Sequence, residues 1–137
     1  MLERDYLRRA TLEFVGVFAL IFIAAGGAAF ARSPTDLALA NGLVIAVMVS
    51  AAGPISGGHI NPAVTLGFLV TRRIAPLLAV VYWVAQFSGA VLAALLLKWV
   101  LPSGAETASN LGVPAPGKKA AEVKMARLLI DQMSTDG

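Results

Sequence analysis

Cysteine is absent from this chain of 137 residues, and histidine occurs once, at His59. The first absence excludes disulfides and thiolate metal sites and leaves the compartment open. The second leaves too few ligands for a protein-only zinc site. Charge is scarce as well: 14% of the residues are charged against 58% hydrophobic, with a mean hydropathy of +0.77. Between Phe14 and Leu97 the charged side chains are Arg32, Asp36, Arg72 and Arg73, all in gaps between apolar runs. The net charge of +3 is thus a property of loops and tails. It suits anionic lipid headgroups rather than nucleic acid, because no basic stripe with interleaved aromatics is present. Phosphate-binding glycine loops, metal-ligand clusters and nucleophile elbows are missing too, so neither an enzyme nor a cofactor is implied.

What the chain does have is long apolar runs, within a length that suits one domain. Phe14–Ala31 is 18 uncharged residues, longer than a usual signal-peptide core, and reads as a retained first span over about 10–31. A second span is predicted over 37–53. A third, over 74–99, is built on Ile74–Leu97, 24 residues without a charge. Each is near the ~20 residues that a 30 Å hydrocarbon core requires. Gly16, Gly26 and Gly27, then Gly42, Ala46 and Ser50, then Gly89 and Ala93 supply small faces for close helix packing.

Between the second and third runs lies Ser56-Gly57-Gly58-His59-Ile60-Asn61-Pro62-Ala63-Val64-Thr65. Asn61 suits a helix cap and Pro62 the first helical position. Residues 62–71 are ten in number and rise about 15 Å, half a membrane, before Arg72 and Arg73. They are predicted to form a re-entrant half-helix behind a loop, 54–61, that dips into the bilayer. Lipid offers no hydrogen bonds, so such backbone survives only inside protein or beside a water-filled cavity. A broken helix at that depth reads as a pore or transport site.

Charge sets an expected orientation. Arg4, Arg8, Arg9, Arg72 and Arg73 fall on one side, against Arg32 and Lys98 on the other. Five against two predicts a cytoplasmic N-terminus. Trp99, beside Lys98, suits an interfacial anchor. Residues 102–117 are rich in Pro, Gly, Ser and Ala and read as a loop. Residues 118–137 read as a polar tail, with Val123, Ala126, Ile130 and Met133 on one face of an amphipathic helix, or as a disordered segment.

Few polar side chains fall within the apolar region. A capped half-helix presents free N–H groups and the positive end of a dipole, and Asn61 adds an amide. Together they would orient a small polar molecule by its oxygen and repel cations; the alternative is that Asn61 serves only as a cap. Gly57 and Gly58 allow close backbone approach or unusual dihedrals. Glu13 and Gln86 each need a partner or a cavity, and Glu13 is expected to accept the loop's N–H groups and brace it. His59 is either a pH gate or a loop histidine bonded to backbone. Asn41 either lines the cavity or bonds a neighbouring helix.

The stretch from Ser56 to Gly67 resembles the first Asn-Pro-Ala box of the aquaporin and aquaglyceroporin (major intrinsic protein) family. Glu13-Phe-Val-Gly16, Leu39-Ala-Asn-Gly-Leu43 and Tyr82-Trp-Val-Ala-Gln86-Phe-Ser-Gly-Ala90 resemble its first three helices. The resemblance covers about residues 10–112. It implies an all-α membrane protein: three transmembrane helices plus one re-entrant half-helix, which is one half of the family's inverted repeat, and here a polar C-terminal tail. Residues 1–101 would be a half-channel for water and glycerol-like neutral solutes. Asn61, Pro62 and Ala63 would stand at the pore centre, with the carbonyls of Gly57, Gly58, His59 and Ile60 as a ladder on the cytoplasmic side. Asn41 would sit at the outer constriction, where water-selective relatives usually carry an aromatic. Glu13 and Gln86 would buttress the loop.

The chain departs from the family after Gly117, where Lys118-Lys119-Ala-Ala-Glu-Val-Lys124 replaces a fourth apolar helix. The expectation is an unrelated tail, as a frameshift or truncation produces. Two functions follow. One is a multi-pass cell-membrane channel half that acts as a homo-oligomer or pairs with another aquaporin half. The other is a non-conducting truncated protein or assembly partner.

Overall fold

The computed structural model describes residues 2–31 and 33–101; the loop and tail expected over 102–137 lie outside them. Four helices follow in order: α1 (Leu2–Phe30), α2 (Pro34–Ser56), α3 (Pro62–Val70) and α4 (Pro76–Val100). No strand occurs among the described residues. The helices α1, α2 and α4 are each long and apolar enough to cross a membrane, and the chain is a multi-pass membrane protein.

Helix ends correct the sequence reading at several places. At 29 residues α1 is about 43 Å long, well beyond the hydrocarbon thickness. Its N-terminal turns, which precede the expected span, are helical as well, and Asp5 and Arg9 pair along them at 2.8 Å. Hydropathy marks where lipid begins, not where hydrogen bonding stops. Helix α2 starts three residues before the expected span, at a capping box. Ser33 Oγ accepts from Asp36 N–H at 3.2 Å, and Asp36 Oδ2 accepts from Ser33 N–H at 2.9 Å. At its other end α2 runs through Pro54 to Ser56 and closes on Gly57, whose N–H donates to Gly53 O at 3.1 Å. The loop expected to start at residue 54 therefore starts at Gly57.

Half-helix α3 has nine residues, about 14 Å. Thr71, expected as its last residue, is its C-cap. Arg73 N–H donates to Phe68 O and Arg72 N–H to Leu69 O, which makes a Schellman closure with Arg72 at φ 58° where glycine is usual.

Helix α1 is central. It packs on α4 along one side and α2 along the other, while α3 leans chiefly on α4. In lipid this packing is held by dispersion and small residues rather than by exclusion of water. The α1–α4 crossing is tightest at Gly89, where any Cβ would collide with the carbonyl oxygen of Phe14. Val17, Ala52 and Ile60 bury a small apolar core where α1, α2 and the loop after α2 meet.

Gly89→Ala is expected to destabilise the fold by about 1–3 kcal/mol, the usual cost of overpacking, because the obstacle is backbone and cannot rotate away. Gly42→Ala, with nothing within 4 Å of the added carbon, should be neutral or stabilising. Thermal unfolding of both variants in detergent, followed by circular dichroism, checks the contrast.

Candidate functional site: a braced re-entrant loop and its cavity

Five residues, 57–61, join α2 to α3, and the path they take needs unusual backbone. Gly57, Gly58 and Ile60 all lie at positive φ, at 92°, 63° and 48°. For glycine this is free; for a β-branched residue it is strained by about 1–3 kcal/mol. Two features hold Ile60 there. Its side chain is buried against Gly16, where a Cβ would come within 2.8 Å of Ile60 Cγ1. Its N–H donates to Glu13 Oε2 at 2.6 Å.

Glu13 is fully buried, and its carboxylate is the hub of the loop. Oε1 accepts from His59 N–H at 3.0 Å and from Ser56 Oγ at 2.7 Å. Oε2 accepts from Ile60 N–H and from Gln86 Nε2, the latter at 2.9 Å. Four donors match the four lone-pair sites of a carboxylate. They come from the end of α2, the loop and α4, so one side chain of α1 ties the three segments together.

Thr65, on the second turn of α3, is a second hub and also fully buried. Its Oγ1 accepts from Gln86 Nε2 at 3.1 Å, donates to Asn61 O at 3.2 Å, and lies 3.0 Å from His59 Nδ1. The His59 ring packs at 4.4 Å from that of Phe68 and edge-on to Tyr82 at 5.2 Å. Tyr82 donates its hydroxyl to Ser56 O, satisfying a carbonyl that the end of α2 would leave open.

Asn61 caps α3: Oδ1 accepts from Ala63 N–H at 2.8 Å. The side-chain NH2 is left as the group it can offer elsewhere. Asn61 lines a cavity of about 260 Å³ together with Gly58, His59, Ile60 and Val64. The opposite wall is apolar and comes from α1 and α2, including Leu20, Val44 and Met48. A second, more polar cavity of about 400 Å³ lies beyond His59, with Gly57, Ser56, Arg9 and Arg73 among its lining residues. His59 lines both.

The structure thus brings Glu13, Gln86, His59 and Ile60 into one hydrogen-bonded group, and Gly58, His59, Ile60 and Asn61 onto one cavity wall. Pro62 and Ala63 form the first turn of α3, and Gly57 faces the second cavity. Asn41 lines neither cavity and sits one turn from Val44 and Ile45 on α2. Its buried Oδ1 has no hydrogen-bond partner among the described residues, so the helix-bonding alternative gains no partner for that atom. The sequence reading gave no role to Ser56, Thr65, Tyr82 or Trp83. Their signal was available: each is a polar group in an apolar stretch, and each must find a partner there.

Glu13→Gln is expected to lower stability, because an amide offers one acceptor oxygen where the loop presents several donors. Each stranded donor costs about 1–3 kcal/mol. Equilibrium unfolding in detergent measures the loss; stability equal to the parent would mean that Glu13 does not hold the loop.

The family model described as major intrinsic protein matches residues 2–133. That match runs past residue 118, into the segment read from sequence as an unrelated tail. Aquaporin Z of Brucella melitensis is 41% identical over 118 residues, covering 81% of this chain and 51% of the relative. Aquaporin NIP2-1 of Zea mays is 41% identical over 101 residues, 69% of this chain and 34% of the relative. Aquaporin-5 of Ovis aries is 40% identical over 114 residues, 80% and 42% respectively. The chain therefore spans about a third to a half of the length of these relatives. A match over nearly all of its sequence, in which a capped half-helix is braced between membrane-spanning helices, places this chain in the major intrinsic protein family.

Proposed function

We propose that this chain supplies half of a passive channel for water and small neutral solutes such as glycerol, and conducts when a second half completes the pore. The observation that carries this reading is the Asn61 cap, an amide at the tip of a nine-residue helix facing a cavity whose other wall is apolar. A polar solute passing there meets a donor on one side and nothing to bind it on the other. That combination orients the solute without retaining it. The positive end of the α3 dipole at the same point disfavours cations.

Pro62 and Ala63 fix the tip, and Gly57, Gly58, His59 and Ile60 form the approach to it. Glu13 and Gln86 keep that approach rigid. Asn41, on the cavity-facing side of α2 and one turn beyond the lining residues, belongs to the outer part of the path. An Asn at that level makes a wider or more polar filter than an aromatic would.

The need for a second half follows from what is left open. Asn61 is exposed, and α3 leans chiefly on α4, so most of its side chains, Val64, Leu66 and Val70 among them, have little cover among the described residues. Another aquaporin half or an inverted copy of this chain fits that opening. Both are to be sought in a cell membrane, with the N-terminus cytoplasmic, the orientation favoured by five arginines on one side against two basic residues on the other. That bias weighs against an inverted homodimer and in favour of a separate half.

Osmotic shrinkage of proteoliposomes carrying the full chain tests the reading. Water permeability above that of empty vesicles is expected once a second half is co-reconstituted, together with its loss in Asn61→Asp, where a carboxylate removes the amide donors. Permeability equal to empty vesicles, with insertion confirmed and candidate second halves co-reconstituted, would support the non-conducting alternative. Tags at both termini, probed from each side of the membrane, test the orientation.

A further inference from the structure

The chain has two tryptophans, and their surroundings differ. Trp99 stands at the end of α4 and is 83% exposed, as a membrane-interface anchor should be. Trp83 lies seven residues into α4 from Pro76, about 10 Å along the helix. It is half-buried, and its indole N–H donates to the carbonyl oxygen of Pro62 at 3.1 Å. An indole N–H at that depth needs an acceptor, and the one it has found is the first residue of α3.

We propose that Trp83 is a positioning residue that fixes the half-helix tip, and so the place of Asn61 in the cavity; this rests on the pore reading above. Glu13 holds the loop before the tip, and Gln86 holds Thr65 on the second turn of α3. Neither touches the first turn itself. Pro62 has no N–H to give, so the attachment of that turn to α4 runs through its carbonyl. Trp83 and Gln86 are three apart on α4 and face the same way. Together they give α3 two points of attachment on its supporting helix, and two points set a tilt where one leaves a pivot. With most of α3 uncovered among the described residues, a tilt released at Trp83 moves Asn61 directly.

The test compares the full chain in lipid bilayers with two variants: Trp83→Phe, and the full chain carrying at position 83 a benzothiophene analogue of tryptophan, in which sulfur replaces the ring N–H. The analogue keeps the shape and removes only the donor. Amide hydrogen exchange at Val64, Thr65 and Leu66 is expected to quicken about three- to tenfold in both, with His59 and Ile60 unchanged. In conducting preparations the ratio of glycerol to water permeability should rise at equal protein density, a change that loss of folded protein alone does not produce. Parental exchange in both variants overturns the proposal. So does a change in Trp83→Phe that the analogue fails to reproduce, which assigns the effect to ring bulk. Faster exchange with an unaltered permeability ratio in a conducting parent overturns it as well, leaving a structural contact only. If the parent does not conduct even with a second half co-reconstituted, the pore reading fails, and the exchange comparison alone decides whether the indole N–H fixes the tip.

Discussion

A backbone N–H buried away from water must find an acceptor, and this fold is arranged around two such groups, those of His59 and Ile60. Both point at Glu13. A carboxylate on a neighbouring helix is a costly answer in lipid, yet it offers what no backbone carbonyl can, four acceptor positions in one place. Ser56 and Gln86 fill the remaining two. Because the donors come from α2, the loop and α4, the position of α1 between α2 and α4 is required by the same bonds. The collision that any side chain at Gly89 would have with Phe14 shows how near α4 must come for Gln86 to reach.

The loop stores strain at Ile60 and spends none of its length on slack. Strain of about 1–3 kcal/mol persists only where surroundings over-determine it. Here the Glu13 bond, the Gly16 contact and the burial of the side chain all act on that one residue. The consequence is directional. Asn61 follows immediately, so its cap geometry and the outward aim of its amide inherit the rigidity of the residue before it. Thr65 closes the arrangement from the other side by bonding back to Asn61 O. In the proposed channel half, a tip fixed from both directions would guide a passing solute by one hydrogen bond, since a mobile amide would bind in many poses and orient in none.

Much of this was legible in the sequence, for reasons that differ by residue. Apolar runs report spans because lipid admits little else, and Asn61-Pro62 reports a helix start because capping and a fixed φ are local chemistry. Glu13 and Gln86 drew notice as polar groups at depth. Helix limits were harder. The first turns of α1 are charged, so hydropathy ended the span where the helix continues. The loop was expected to start at residue 54, but Pro54, in the last turn of α2, forfeits a single hydrogen bond and the helix passes it. Ser56, Thr65 and Tyr82 went unassigned because these partners lie 21 or more residues away in the chain. That Asn41 Oδ1 has no hydrogen-bond partner among the described residues has no sequence signal at all.

Site-resolved amide hydrogen exchange on the unmodified chain in a bilayer tests the central claim most directly. If Glu13 holds the loop, the His59 and Ile60 amides exchange as slowly as those in the middle of α1, although neither belongs to a helix. Exchange of those two amides at the rate of an open loop, with α1 still protected, would contradict the account.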